Sequence, residues 1–213
     1  MKIEKIINKV MNENTYFLSN DTNLIVVDPG SDTKKIMDKI EEINLPLTAI
    51  LLTHAHYDHI ISIPAIKEKY PDVPVYVATP EVTWLYTPEY NQSHQFGHQD
   101  GLEDVIVDPA DYEYEMYNDY DMDGFKFKVV PTPGHSIGGV SFIFDDDELV
   151  LTGDALFKGT VGITNLYTGD YDQLLNGIRT ELFTLPKNYE VYPGHGPKTD
   201  IGTEKMYNPH FNR

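Results

Sequence analysis

The apolar run Leu47-Thr-Ala-Ile-Leu-Leu-Thr53 leads directly into His54-Ala55-His56-Tyr57-Asp58-His59. The first part reads as a buried strand and the second as a metal loop. Three imidazoles and a carboxylate in six consecutive residues offer the N and O donors that divalent zinc, iron and manganese take. In an extended turn residues two apart point the same way, so His54 and His56 can chelate one ion. Asp58 and His59 are then left to face a second.

Three segments further along repeat the same grammar. Phe127-Lys-Val-Val-Pro-Thr-Pro-Gly134 leads to His135, Leu149-Val-Leu-Thr-Gly153 to Asp154, and Glu190-Val-Tyr-Pro-Gly194 to His195. In each, an apolar strand meets a glycine that permits a sharp turn, and a potential ligand follows on a short loop at the strand's end. Counting donors gives His54, His56, His59, His135 and His195 with Asp58 and Asp154, a set that suits two ions. The natural partition puts His54, His56 and His135 on one metal and Asp58, His59 and His195 on the other, with Asp154 bridging. His94 and His98 are also four apart, but Gly97 between them weakens a helix that would align them. His210 reads as a surface or packing residue.

Composition narrows the function classes. The chain has 213 residues, enough for one large domain with a filled core, so a single domain over residues 1–213 is expected. Its 34 acidic against 16 basic residues, net −18, oppose binding to a phosphate backbone or an anionic membrane. With no cysteine there are no disulfides, thiolate ligands or thiol nucleophiles. The N-terminal Met1-Lys-Ile-Glu-Lys-Ile-Ile-Asn-Lys-Val10 lacks the apolar core of a signal peptide, and no run reaches membrane-spanning length. The expectation is a cytoplasmic protein acting on a small molecule, without nucleic-acid or membrane partners.

Patterning gives strands over Ile3 to Ile7, Thr15 to Ser19 and Leu24 to Asp28, then a helix over Lys34 to Ile43 capped by Asp32-Thr33. After the histidine loop it predicts a helix from Ile60 to Tyr70 and a strand from Pro74 to Ala78. Residues 80 to 121, rich in tyrosine among polar residues, read as an excursion over the surface. Strands follow over Phe125 to Pro131, Val140 to Phe144 and Glu148 to Thr152, with Asp145-Asp146-Asp147 as a hairpin turn. A helix over Asp172 to Leu185, a strand over Tyr189 to Tyr192 and a helix over Ile201 to Tyr207 complete the reading.

With these four motifs in this order, the chain resembles the metallo-β-lactamase-fold superfamily. Within it, the chain is similar to the short bacterial glyoxalase II-like (hydroxyacylglutathione hydrolase-like) hydrolases. The resemblance rests on Thr53-His54-Ala-His56-Tyr-Asp58-His59, Thr132-Pro-Gly-His135-Ser136, Leu151-Thr-Gly-Asp154-Ala-Leu-Phe157 and Tyr192-Pro-Gly-His195-Gly196. It implies an α/β fold, a four-layer αβ/βα sandwich of two mixed sheets flanked by helices, and the same partition of ligands. It further implies that many β-lactam-hydrolysing members carry a cysteine in place of Asp154 or lack a bridging carboxylate, which disfavours antibiotic hydrolysis.

The implied chemistry is a hydroxide activated by two divalent ions, zinc foremost and iron or manganese alternatively, attacking a small acyl substrate, most naturally a thioester. Asp58 would orient the nucleophile as well as bind metal. The alternatives are a persulfide dioxygenase-like enzyme with one iron, a lactonase or phosphodiesterase of the same fold, and a metal-binding scaffold without turnover. Two departures stand out. Glyoxalase II-like relatives usually place a basic residue where Ile163 follows Gly162, and small residues where Ile60-Ile61 follow the histidines.

Overall fold

The computed structural model describes residues 1–99 and 101–211, which divide into two compact units. The first comprises Met1–Tyr114 with Met122–Phe125, and the second Glu115–Asp121 with Lys126–Arg213. Each unit is built on its own mixed sheet.

The first sheet runs in chain order: β1 (Lys2–Ile7), β2 (Asn14–Ser19), β3 (Leu24–Val27), β4 (Leu47–Leu51), β5 (Val75–Val77) and β6 (Tyr112–Glu113). β1 to β3 are antiparallel neighbours, whereas β3, β4, β5 and β6 are parallel. Parallel neighbours need crossovers, and helix α1 (Thr33–Ile43) supplies the first. Its buried face, Ile36 and Ile40, packs with Phe17, Val26 and Ile50 in the unit's core. The helix starts after Asp32 as expected, but that side chain makes no capping bond and pairs with Lys35 instead. Asn44, in the left-handed region at φ 54°, ends it just before Pro46.

The second crossover carries the histidine loop. A short 3-10 turn, Tyr57–His59, precedes helix α2 (Ile63–Lys69). The expected single helix from Ile60 is thus shortened, because the chain first closes the ligand turn. Pro64 falls in the first helical turn, where its missing N–H costs nothing.

The second sheet has the order β14-β13-β10-β9-β8-β7, with β7 (Asp119–Met122), β8 (Phe125–Pro131), β9 (Val140–Phe144), β10 (Leu149–Gly153), β13 (Glu190–Pro193) and β14 (Thr199–Asp200). A separate pair, β11 (Leu156–Phe157) and β12 (Thr160–Val161), lies in the β10–β13 crossover together with helix α3 (Tyr171–Gly177). The long helix expected to Leu185 is α3 followed by a wide turn over Ile178–Leu182. Asp170 caps α3 by accepting from the Gln173 N–H, and Asp200 caps helix α4 (Ile201–Tyr207) through Thr203. The Asp145–Asp147 turn joins β9 to β10, closed by Glu148 at φ 53°.

The region 80–121 is less of a surface excursion than its composition suggests. Trp84, Leu85 and Val107 are buried members of the first unit's core, and Asn91 and Ser93 are wholly buried. Asn91 Nδ2 donates to the carbonyls of Trp84 and Val105, so one polar side chain holds both ends of the loop. The Tyr114 hydroxyl accepts from the Leu52 N–H at 3.0 Å, directly below the histidine loop. Short apolar clusters without periodicity concealed this packing. Among the described residues, no helix is long and apolar enough to cross a membrane.

Candidate metal centre

In the first unit His54, His56, Asp58 and His59 are all buried. The His54 ring lies 4.7 Å from that of His56 and 4.2 Å from that of His59, centroid to centroid. His56 also packs against Trp84, at 5.7 Å. Asp58 Oδ2 is 3.7 Å from His59 Nε2. Burying a carboxylate among imidazoles is costly unless charge is paired or a metal is bound.

Strand pairing explains how these side chains are aimed. β3 and β4 are parallel with Val27 opposite Leu51, so both strands end at one edge and Asp28 comes to lie beside Thr53. Asp28 Oδ1 accepts the Thr53 N–H at 2.8 Å, and Oδ2 accepts the Thr53 hydroxyl at 2.6 Å. The single hydroxyl proton is spent on Asp28, so at 3.1 Å Thr53 Oγ1 accepts from His54 Nδ1. His59 Nδ1 donates to the same Asp28 Oδ2, also at 3.1 Å. One carboxylate therefore sets the tautomer of two histidines, with the proton on Nδ1 and the lone pair on Nε2.

Two further buried carboxylates support the loop. Glu81 accepts the Ala55 N–H at 2.6 Å. Glu13 binds Asn8 and Thr15 and lies 4.0 Å from His59 Nδ1. None of Asp28, Glu81 and Glu13 was singled out from sequence. Asp28 sits in the Asp28-Pro29-Gly30 turn, at φ 50°, and turn composition explains such a residue well enough to mask its second role. Ile60 packs into the core beneath the loop.

In the second unit His135, Asp154 and His195 come together from three strand ends. β8 and β10 are each antiparallel to β9, and β10 is parallel to β13, so all three run the same way and finish at the same edge. The Gly194 N–H donates to the Gly153 carbonyl at 2.8 Å, fixing Asp154 beside His195. Asp154 Oδ2 is 3.4 Å from His135 Nε2 and 3.3 Å from His195 Nε2. His135 Nδ1 donates to the Ile163 carbonyl at 2.7 Å, again leaving the lone pair on Nε2.

Close backbone approach is essential in this half. A Cβ on Gly162 would meet the Asp154 carbonyl oxygen at 1.9 Å, and one on Gly134, at φ +124°, would meet backbone atoms of Asp170 and Leu174. Ile163, which stands where relatives usually place a basic residue, contributes through its backbone carbonyl, and the residue is 56% exposed. Lys158 is exposed as well. Beneath His195, the Tyr192 hydroxyl donates to Glu190 at 2.7 Å. Burial, then that bond, raises the Tyr192 phenol above its ordinary value, so it stays neutral at physiological pH.

The donors suit divalent metal. All seven are imidazole or carboxylate, and His54, His59 and His135 each have Nδ1 engaged by an acceptor and the Nε2 lone pair for coordination. The model of the metallo-beta-lactamase superfamily matches residues 8–195. The chain belongs to the metallo-β-lactamase superfamily. It is 51% identical, over all of its length and 91% of the relative's, to a probable metallo-hydrolase of Streptococcus pyogenes serotype M6. It is 32% identical to the hydroxyacylglutathione hydrolase GloC of Haemophilus influenzae, over all of this chain and 99% of that one.

Among solved structures, the BLEG-1 B3 metallo-beta-lactamase superposes with a TM-score of 0.93 at 34% identity, covering both chains fully. TTHA1623 in a di-iron-bound form superposes at 0.80 with 32% identity, covering 97% of this chain and 98% of that one. The two mixed sheets flanked by helices are the fold of this superfamily. The protein is accordingly a metallo-hydrolase of the superfamily, with a His/Asp donor set for divalent metal.

Proposed function

We propose that the protein is a thioesterase of the glyoxalase II type, which hydrolyses a small acyl thioester with the help of two divalent ions. On this reading, which follows the partition the resemblance implies, His54, His56 and His135 would hold one ion and Asp58, His59 and His195 the other, with Asp154 as the shared ligand. Zinc is the first expectation, with iron and manganese accepted by the same donors. Bound ions supply an acidified water and polarise the scissile carbonyl.

The chain's own residues do the rest. Asp58 orients the nucleophile, the Asp28 relay holds His54 and His59 in one tautomer, and Ile163 O holds His135. The observation that carries the reading is Asp154, whose Oδ2 lies within 3.4 Å of Nε2 of both His135 and His195, where it would serve as a ligand shared between ions. Full-length likeness to a hydroxyacylglutathione hydrolase supports the acyl class. The apolar, exposed Ile163 argues that the thiol part of the substrate is not gripped there through a carboxylate. Net charge −18 favours small molecules over nucleic acid or anionic membrane partners, and the setting proposed for this activity is the cytoplasm.

The test is a hydrolysis panel on metal-quantified protein: glutathione and neutral-thiol thioesters, lactones, phosphodiesters, and β-lactams because of the named lactamase neighbour. Thioesters are expected to turn over fastest, and Asp58→Ala to lower that rate by about two orders of magnitude or more. A variant matching wild type, or one iron per chain with oxygen uptake, would overturn the reading.

A further inference from the structure

We propose that His94, His98 and Asp104 form an exposed site for one divalent transition ion, of the zinc, nickel or copper type, that ties the Ser93–Gly97 turn to Asp104. Asp104 Oδ1 lies 3.1 Å from His94 Nδ1 and 2.9 Å from His98 Nε2. One ligand atom from each of the three residues lies within 4.8 Å of the other two. Donors at about 2.0–2.1 Å from a common ion stand roughly 2.9–3.4 Å apart, so the spacing suits coordination with little movement. Two imidazoles and one carboxylate leave a fourth position for water.

The glycine that argued against alignment from sequence has the opposite effect. Ser93–Gly97 forms a wide turn in which the His98 N–H donates to the Ser93 carbonyl, five residues back. That turn brings the two rings to one side, with centroids 5.1 Å apart. Gly97 faces Tyr57, where an added Cβ would stand 3.7 Å from the ring.

The loop is already pinned at its ends, since the Val105 N–H donates to Ser93 Oγ and Asn91 Nδ2 to the Val105 carbonyl. It is also tied to the histidine loop, because the Tyr57 N–H donates to the Asn91 carbonyl at 2.9 Å. An ion joining His94, His98 and Asp104 would tie the Ser93–Gly97 turn to Asp104 and so restrict the segment that lies against Tyr57.

The experiment is equilibrium dialysis of the full-length protein against micromolar free Zn2+, with metal counted per chain for wild type, His94→Ala/His98→Ala and Asp104→Asn. These positions are exposed, so the variants keep their fold. Wild type is expected to hold one equivalent more than either variant, and zinc is expected to slow amide exchange at Leu102 and Val105 only in wild type. Thioester hydrolysis at low zinc should be the same in all three. Equal metal counts, or exchange at Leu102 and Val105 that ignores zinc, would overturn the proposal.

Discussion

The two donor clusters reach similar chemistry by different means. In the first unit four ligands follow one another in sequence and are aimed by buried side-chain carboxylates, above all Asp28. In the second unit three ligands come from three strand ends and are aimed by backbone, through the Ile163 carbonyl and the close packing allowed by Gly134 and Gly162. A contiguous loop has little backbone geometry of its own and needs outside groups to orient its rings. Strand ends inherit their geometry from the sheet and need only room to approach.

The sharpest way to test that contrast is Asp28→Asn. It keeps the size of the side chain but replaces an acceptor of three hydrogen bonds with a group that must turn an amide N–H toward one of its donors. Metal affinity and hydrolysis are expected to fall by about 10- to 100-fold, measured by chelator competition and steady-state rate. The next effect is on the other half. Gly162→Ala should cost about 1–3 kcal/mol of stability in denaturant unfolding, with loss of metal, because its Cβ cannot coexist with the Asp154 carbonyl. The smallest is Ile163→Ala, which keeps the carbonyl that orients His135. Its stability should change by no more than about 0.5 kcal/mol with metal content unchanged, although KM for a thioester is free to move.

The same contrast explains what the sequence could reveal. His54 to His59 were legible because ligands crowd together, and His135, Asp154 and His195 because each follows an apolar run and a glycine. β8, β9 and α4 matched their expected boundaries, since their apolar patterns end at strong turn or cap residues. The residues that orient the ligands were not legible. Asp28 stands in a turn sequence, Glu81 and Glu13 belong to no motif, and the Ile163 contribution lies in its backbone, which no side-chain pattern encodes. The buried anchors within residues 80–121 were hidden for a related reason. Their packing depends on Trp84, Leu85 and Val107 meeting a core that lies far away in the chain.

The most direct measurement of the central claim is a metal titration of the apo-protein followed simultaneously by thioester hydrolysis. Activity is expected to rise to its full value at two equivalents per chain, before the exposed His94, His98 and Asp104 site fills. Full activity at a single equivalent, or no hydrolysis with two bound, would contradict it.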